Sequence, residues 1–301
     1  MSKPQIDIIP SDKIKRQQWN DCIQKSSNPL IYAYAYYLDS MTNNWHGIII
    51  NDYEAVMPVP WRKKYGIRYT YAVPFIQQLG IFSSSKEKYE DLFLQQLFQF
   101  CKYGDYNFNY SNRIITTART NFIIDLSLSY EGIYKSYKDD LVNNLKRASK
   151  QELLYTNDTD YKNAIEIYRS IYASRFPNTV EKNYKNFETL CTYLQQQNGV
   201  IIRSVKNASN KLLSIALLLK DEFRLYNLMN TTLEEGRKTE ANHFLFDQLM
   251  REFAGSKLIF DFEGSDIPGV KSFYEKFGAF NQPYYSLHFN KLSPFIRWIK
   301  K

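Results

Sequence analysis

Apolar positions recur along this chain with two periods. In 89–103, Leu92, Leu94, Leu97 and Phe98 form a stripe at helical spacing. Short apolar runs at 45–50, 55–60 and 67–72, separated by Asn51-Asp52 and Lys64-Tyr65-Gly66, read as strands joined by turns. Ser11 and Asp12 open a helix expected to run to 24, and Asn28-Pro29 breaks the chain before a helix at 32–41. Strands at 106–110 and 121–126 follow, then a polar, largely helical stretch at 130–150. The second half repeats this grammar. Helices at 161–175 and 180–196 precede strands at 200–205, 212–219 and 222–229, the first two joined by a hairpin turn at 206–210. A helix at 240–253, a strand at 257–262, a helix at 270–277 and a strand at 284–291 complete the pattern. This order predicts an α+β fold with mixed sheets, divided into a domain at 1–150 and a domain at 151–301.

Composition narrows the class. Of 301 residues, 44 % are hydrophobic and 23 % charged, which fits a globular chain and excludes a disordered one. The net charge of +8 favours phosphate-bearing partners, yet the bases are dispersed and form no tail that would bind DNA. Cys22, Cys101 and Cys191 are distant and odd in number, so no disulfide framework follows. No apolar leader opens the chain and no apolar run reaches membrane-spanning length, so a cytoplasmic protein is expected. His46, His243 and His288 are isolated, which suggests neither a metal site nor a Ser-His-Asp triad. Neither GxGxxG nor a P-loop occurs.

The stretch from Phe260 to Gly278, FDFEGSDIPGVKSFYEKFG, resembles the closing signature of FemAB-like proteins. The basic crossover Asn144-Leu-Lys-Arg-Ala-Ser-Lys150 is similar to that family's segment between its two lobes. Met57-Pro58-Val59-Pro60, Gly66 and Gln78-Leu79-Gly80 resemble the first lobe. The resemblance implies two tandem GNAT-like domains, each a central, mostly antiparallel mixed sheet flanked by helices. It also implies transfer of an acyl or aminoacyl group to an amine. The long helical hairpin of tRNA-using members has no room here, so acyl-CoA is the expected co-substrate, without a metal. The acceptor is expected to be a small-molecule or nucleotide-linked amine. Aminoacyl-tRNA-dependent transfer to a cell-wall precursor is the alternative, and a non-catalytic ligand-binding protein of the same fold is a further one.

Several residues follow as candidates. Glu263 and Asp261 leave one strand end on alternating faces, where a carboxylate can take the amine's proton. Tyr274 is positioned by the resemblance to protonate a leaving group, and Asp266 is expected to cap the helix after Pro268. The turn Gly236-Arg237-Lys238-Thr239, with Met229 and Asn230 on the strand before it, is the expected cofactor-binding element. It departs from the usual pyrophosphate signature, because Glu240 and Asn242 stand where small residues are expected. Lys146, Arg147, Lys150 and Arg68 are the candidate substrate-binding cations, Arg68 belonging to a basic hairpin tip with Arg62, Lys63 and Lys64. The tail at 293–301, SPFIRWIKK, is amphipathic and offers a peripheral membrane contact.

Overall fold

The computed structural model describes residues 4–85, 89–112, 116–264 and 266–293. The expected tail lies almost wholly outside them. The chain forms two compact units, Met1–Arg119 with Pro283–Lys301, and Thr120–Gln282.

The first unit holds an eight-stranded mixed sheet. Its order is Ile6–Pro10, Trp45–Ile50, Ala55–Lys64, Ile67–Thr70, Tyr103–Phe108, Tyr284–Asn290, Thr117–Arg119, with Phe82–Ser83 off the path on Ala55–Lys64. Strand Ala55–Lys64 has two characters. Its first six residues are buried between neighbours, whereas its last three are exposed. The helices Arg16–Lys25 and Ala35–Met41 pack over this sheet through Trp19, whose indole N–H donates to the Ala33 carbonyl at 2.9 Å. Gly47 is required there, since a Cβ would come within 2.5 Å of the Trp19 ring.

The second unit is built around a seven-stranded sheet. Its order is Phe280–Asn281, Phe122–Asp125, Ile259–Asp261, Arg224–Thr232, Leu212–Lys220, Val200–Lys206, Leu154–Asp158. Neighbours run antiparallel except Arg224–Thr232 and Ile259–Asp261, which run parallel. In Leu212–Lys220 every residue from Leu213 to Leu219 is buried. A continuous apolar run means that both faces of the strand are covered, and the helices Tyr161–Tyr172 and Ala241–Phe253 both pack on it. Phe246 on the second helix meets Phe260, Phe262, Phe273 and Phe277 with ring centroids 5.4 to 5.9 Å apart.

Two expectations change here. The expected boundary at 150 falls inside the second unit, because helix Asp139–Ala148 packs on Ala241–Phe253 and strand Phe122–Asp125 pairs with Ile259–Asp261. The last strand was expected to finish the second domain, but it pairs with Tyr103–Phe108 of the first unit.

Candidate functional site

The two parallel strands of the second unit part company early. Arg224–Tyr226 pairs with Ile259–Asp261, and beyond this no further pairing joins them. The register between Leu212–Lys220 and Arg224–Thr232 also shifts there, Leu217 facing Met229 and Leu218 facing Asn227, so Leu228 is the extra residue of a bulge. Side chains, rather than the sheet, hold the departing segment. The Glu263 N–H donates to Asp261 Oδ1 at 3.0 Å and the Gly264 N–H to Asn121 Oδ1 at 2.8 Å. Glu263 takes a left-handed φ of 58°. Gly264 is obligatory, because a Cβ would lie 1.8 Å from the Thr120 carbonyl oxygen.

Near this opening lies a cavity of about 310 Å³. Tyr172, Phe273 and Tyr274 give it aromatic walls, and Asn230, Thr232, Arg237, Glu240, Asn242 and His243 give it polar ones. The orientation of its amides is fixed from the backbone outward. Asn230 Nδ2 donates to the Ile215 carbonyl at 3.3 Å and to Asn242 Oδ1 at 3.0 Å. The Ser214 hydroxyl also donates to Asn242 Oδ1, at 3.0 Å. Asn242 thereby has its acceptor consumed and keeps its NH₂ as the group still able to donate, while Asn230 keeps its Oδ1 as an acceptor.

A second network closes the helix start. Glu240 precedes helix Ala241–Phe253 at φ 58°. Its Oε1 accepts from Arg147 Nε at 3.0 Å and Nη2 at 2.6 Å, and its Oε2 lies 2.9 Å from His243 Nδ1. Arg147 Nη2 also donates to Asn144 Oδ1 at 2.5 Å. A guanidinium only donates, so the Asn144 NH₂ must face His243 Nε2, 2.9 Å away. The imidazole therefore accepts at Nε2 and donates from Nδ1 to Glu240. Burial holds the His243 pKa below its usual value, against the Glu240 charge that raises it.

Glu263 is the unusual acid. Its Oε1 is buried with no hydrogen-bond partner among the described residues. Burial alone pushes its pKa from 4.5 up to about 8. Burial first and the Glu263 charge second raise the hydroxyl of Tyr274, so that phenol stays protonated and able to donate.

The sequence candidates separate accordingly. Tyr274 stands on the cavity wall, and Glu263 lies behind it, near enough for its charge to raise the phenol but not itself among the lining residues. Asp261 does not reach the cavity. It is 1 % exposed, its Oδ2 accepts from Arg224 Nη1 at 2.9 Å, and its Oδ1 positions Glu263. The expected turn 236–239 is mostly a short helix, Glu234–Lys238. Gly236 and Arg237 line the cavity, but Lys238 pairs with Glu234 at 2.8 Å and the Thr239 hydroxyl donates to the Glu235 and Gly236 carbonyls. Gly236 is needed where it stands, since a Cβ would lie 2.1 Å from the Leu213 carbonyl oxygen. Asn230 faces the cavity, whereas Met229 is 2 % exposed and packs in the core. Arg147 is tied to Glu240, and Lys146 and Lys150 are exposed and away from the cavity wall. Arg68 belongs to the first unit, where its guanidinium stacks on Phe100 at 4.4 Å. Asp266 accepts from the Thr120 hydroxyl at 3.0 Å, and Ile267 occupies the cap position instead. Tyr172, Thr232 and Phe273 were missed, and periodicity marks them only as helix or strand residues. The three cysteines are buried and free. Among the described residues no cluster of three metal-binding side chains occurs, and no helix is long and apolar enough to cross a membrane.

No protein-family profile and no curated protein matches the sequence. Solved structures do match in fold. FemX shares 13 % identity at a TM-score of 0.67, covering 98 % of this chain and 100 % of its own. L-PGS from Bacillus licheniformis shares 11 % identity at a TM-score of 0.55, with 94 % of each chain covered. The DUF2156 domain of a putative lysylphosphatidylglycerol synthetase from Agrobacterium fabrum shares 11 % at 0.53, covering 93 % of this chain and 95 % of that one. The chain thus shares the mixed α/β fold of FemX and of these two proteins, the fold class that its closing motif implied.

Proposed function

We propose that the protein transfers an acyl group from an activated donor to an amine, at the cavity beside the parted strands of the second unit. Glu263 carries this reading. A carboxyl with a pKa of about 8 is ionised in about one molecule in ten at pH 7, and that carboxylate, with its unpartnered buried oxygen, is basic enough to take the proton an ammonium must lose before its nitrogen attacks. The amine nitrogen bonds to the donor's carbonyl carbon and its proton passes to Glu263. The bond from that carbon to the leaving group breaks as Tyr274 donates its hydroxyl proton. The Asn242 NH₂ supplies a fixed donor in the same cavity for the substrate's carbonyl oxygen.

Acyl-CoA remains the donor implied by the sequence resemblance. Glu240 favours an aminoacyl ester instead. Its carboxylate, held by Arg147 and His243, places a negative charge at the helix start, where it repels a pyrophosphate that would otherwise settle there. Similarity in fold to a lysylphosphatidylglycerol synthetase, whose named product carries a lysyl group, supports the same reading. The test is a mass-spectrometric transfer assay with aminoacyl-tRNA and, separately, acyl-CoA, each with primary-amine acceptors. Amide product from the ester donor, lost about 100-fold or more in Glu263→Gln, is expected. Full activity of that variant would remove Glu263 from the mechanism, and product from acyl-CoA alone would restore the thioester.

A further inference from the structure

The hairpin of strands Ala55–Lys64 and Ile67–Thr70 in the first unit carries a charge pattern that acyl transfer does not use. Lys64 faces Ile67, so Tyr65 and Gly66 form a two-residue turn, with φ of 51° and 80°. Both left-handed angles suit the tight turn that matches strand twist. Arg62, Lys63, Lys64, Tyr65 and Arg68 are all exposed, Tyr65 to 91 %. No acidic residue occurs between Glu54 and Glu87. None of the four cations forms an ion pair among the described residues. Three lie over rings instead, Arg62 over Tyr71 at 4.0 Å, Arg68 over Phe100 at 4.4 Å and Lys64 over Tyr65 at 5.4 Å.

We infer that this hairpin tip docks the protein on an anionic bilayer surface. Side chains alternate along a strand, and cross-strand partners share a face. Lys63 and Arg68 are partners, so they occupy one face, while Arg62 and Lys64 occupy the other. Each face therefore has two cations, with an exposed tyrosine at the turn between them. A nucleic-acid phosphate ribbon would meet one face. A plane of headgroups surrounds an inserted tip and meets both, with cations at phosphate level and the tyrosine ring in the interfacial zone.

The test is flotation of the full chain with vesicles of phosphatidylglycerol and phosphatidylcholine in about a 3:7 ratio, against pure phosphatidylcholine. Binding to the anionic vesicles alone, weakened by salt, is expected. Lys63→Ala/Lys64→Ala should lower the partition about 30-fold, roughly five-fold per cation, with an unchanged melting temperature. Tyr65→Ser, which keeps every charge, should lower it by a smaller factor. Equal partition of the double variant, or equal binding to neutral vesicles, would overturn the inference. So would binding of a labelled single-stranded RNA that the double variant loses while keeping its vesicle affinity.

Discussion

Replacing Glu263 by glutamine separates the catalytic cost of this acid from its folding cost. In the folded protein burial raises its pKa from 4.5 to about 8. Between those values the folded state holds a proton that the unfolded state has released. Stability is therefore fully present below pH 4.5 and falls as pH rises through the window toward 8. The full span corresponds to about 5 kcal/mol, and the part between pH 5 and pH 9 to about 4 kcal/mol, both upper figures for a single acid. Glutamine has the shape of the protonated acid and cannot ionise, so the variant should lack this slope. Urea unfolding of both proteins at pH 5, 7 and 9 measures the difference directly, since all other titrating groups cancel between them. Glu263→Gln should gain on the wild type steadily with pH while transfer activity disappears. Parallel stability curves from pH 5 to pH 9 would show that the Glu263 carboxyl is ionised normally, and the proton-acceptor role would lose its basis.

Other perturbations probe the supports. Because burial holds the His243 pKa down, its ring should titrate below 6.5 by NMR, with stability falling as pH drops below 6.5; a midpoint above 6.5 would contradict the assigned proton positions. Arg224→Met leaves Asp261 buried without its cation and should cost about 3–5 kcal/mol in urea unfolding, most of it recovered in Arg224→Met/Asp261→Leu; a double variant as unstable as the single one would refute this. Asn121→Ala strands the Gly264 N–H, at a cost of about 1–3 kcal/mol. It should lower kcat far more than it raises KM, and an unchanged kcat would show that Glu263 is positioned without it.

The strands were readable wherever side-chain alternation met a sharp turn. Trp45–Ile50 agrees with its expected limits, and the Lys64-Tyr65-Gly66 turn has the left-handed angles that tight reversal needs. Ile6–Pro10 and Leu154–Asp158 were missed, as edge strands with little apolar alternation; each pairs on one side only. Pairing between distant segments leaves no local mark, so nothing in Tyr284–Asn290 announced that it would join the first unit. The site divides in the same way. Glu263 was legible because a motif points to it. Asp261 was misread because the cation that buries it, Arg224, lies 37 residues away on another strand. Glu240 was read as an oddity of a phosphate turn, and its meaning needed Arg147, 93 residues distant.

These distant partners explain how an acid with so costly an ionisation is tolerated where the sheet opens. Past Asp261 the strand has no ladder partner on the Arg224–Thr232 side, and the freed N–H groups of residues 263 and 264 would otherwise go unpaired. Asp261 and Asn121 accept those bonds, and Arg224 in turn neutralises Asp261 while its Nη2 donates to Gln282 at 2.9 Å. The charge that burial can sustain is thus spent on Asp261, which is paired. None is left for Glu263, whose Oε1 finds no donor among the described residues, and the carboxyl stays mostly protonated until pH nears 8. One strand end therefore presents two carboxyls with opposite duties. Burial raises the pKa of both, but Arg224, the Glu263 N–H and Asn121 oppose it at Asp261, which holds the backbone. Among the described residues nothing opposes it at Glu263, which is left to exchange a proton. The assignment follows from which of them the arginine reaches.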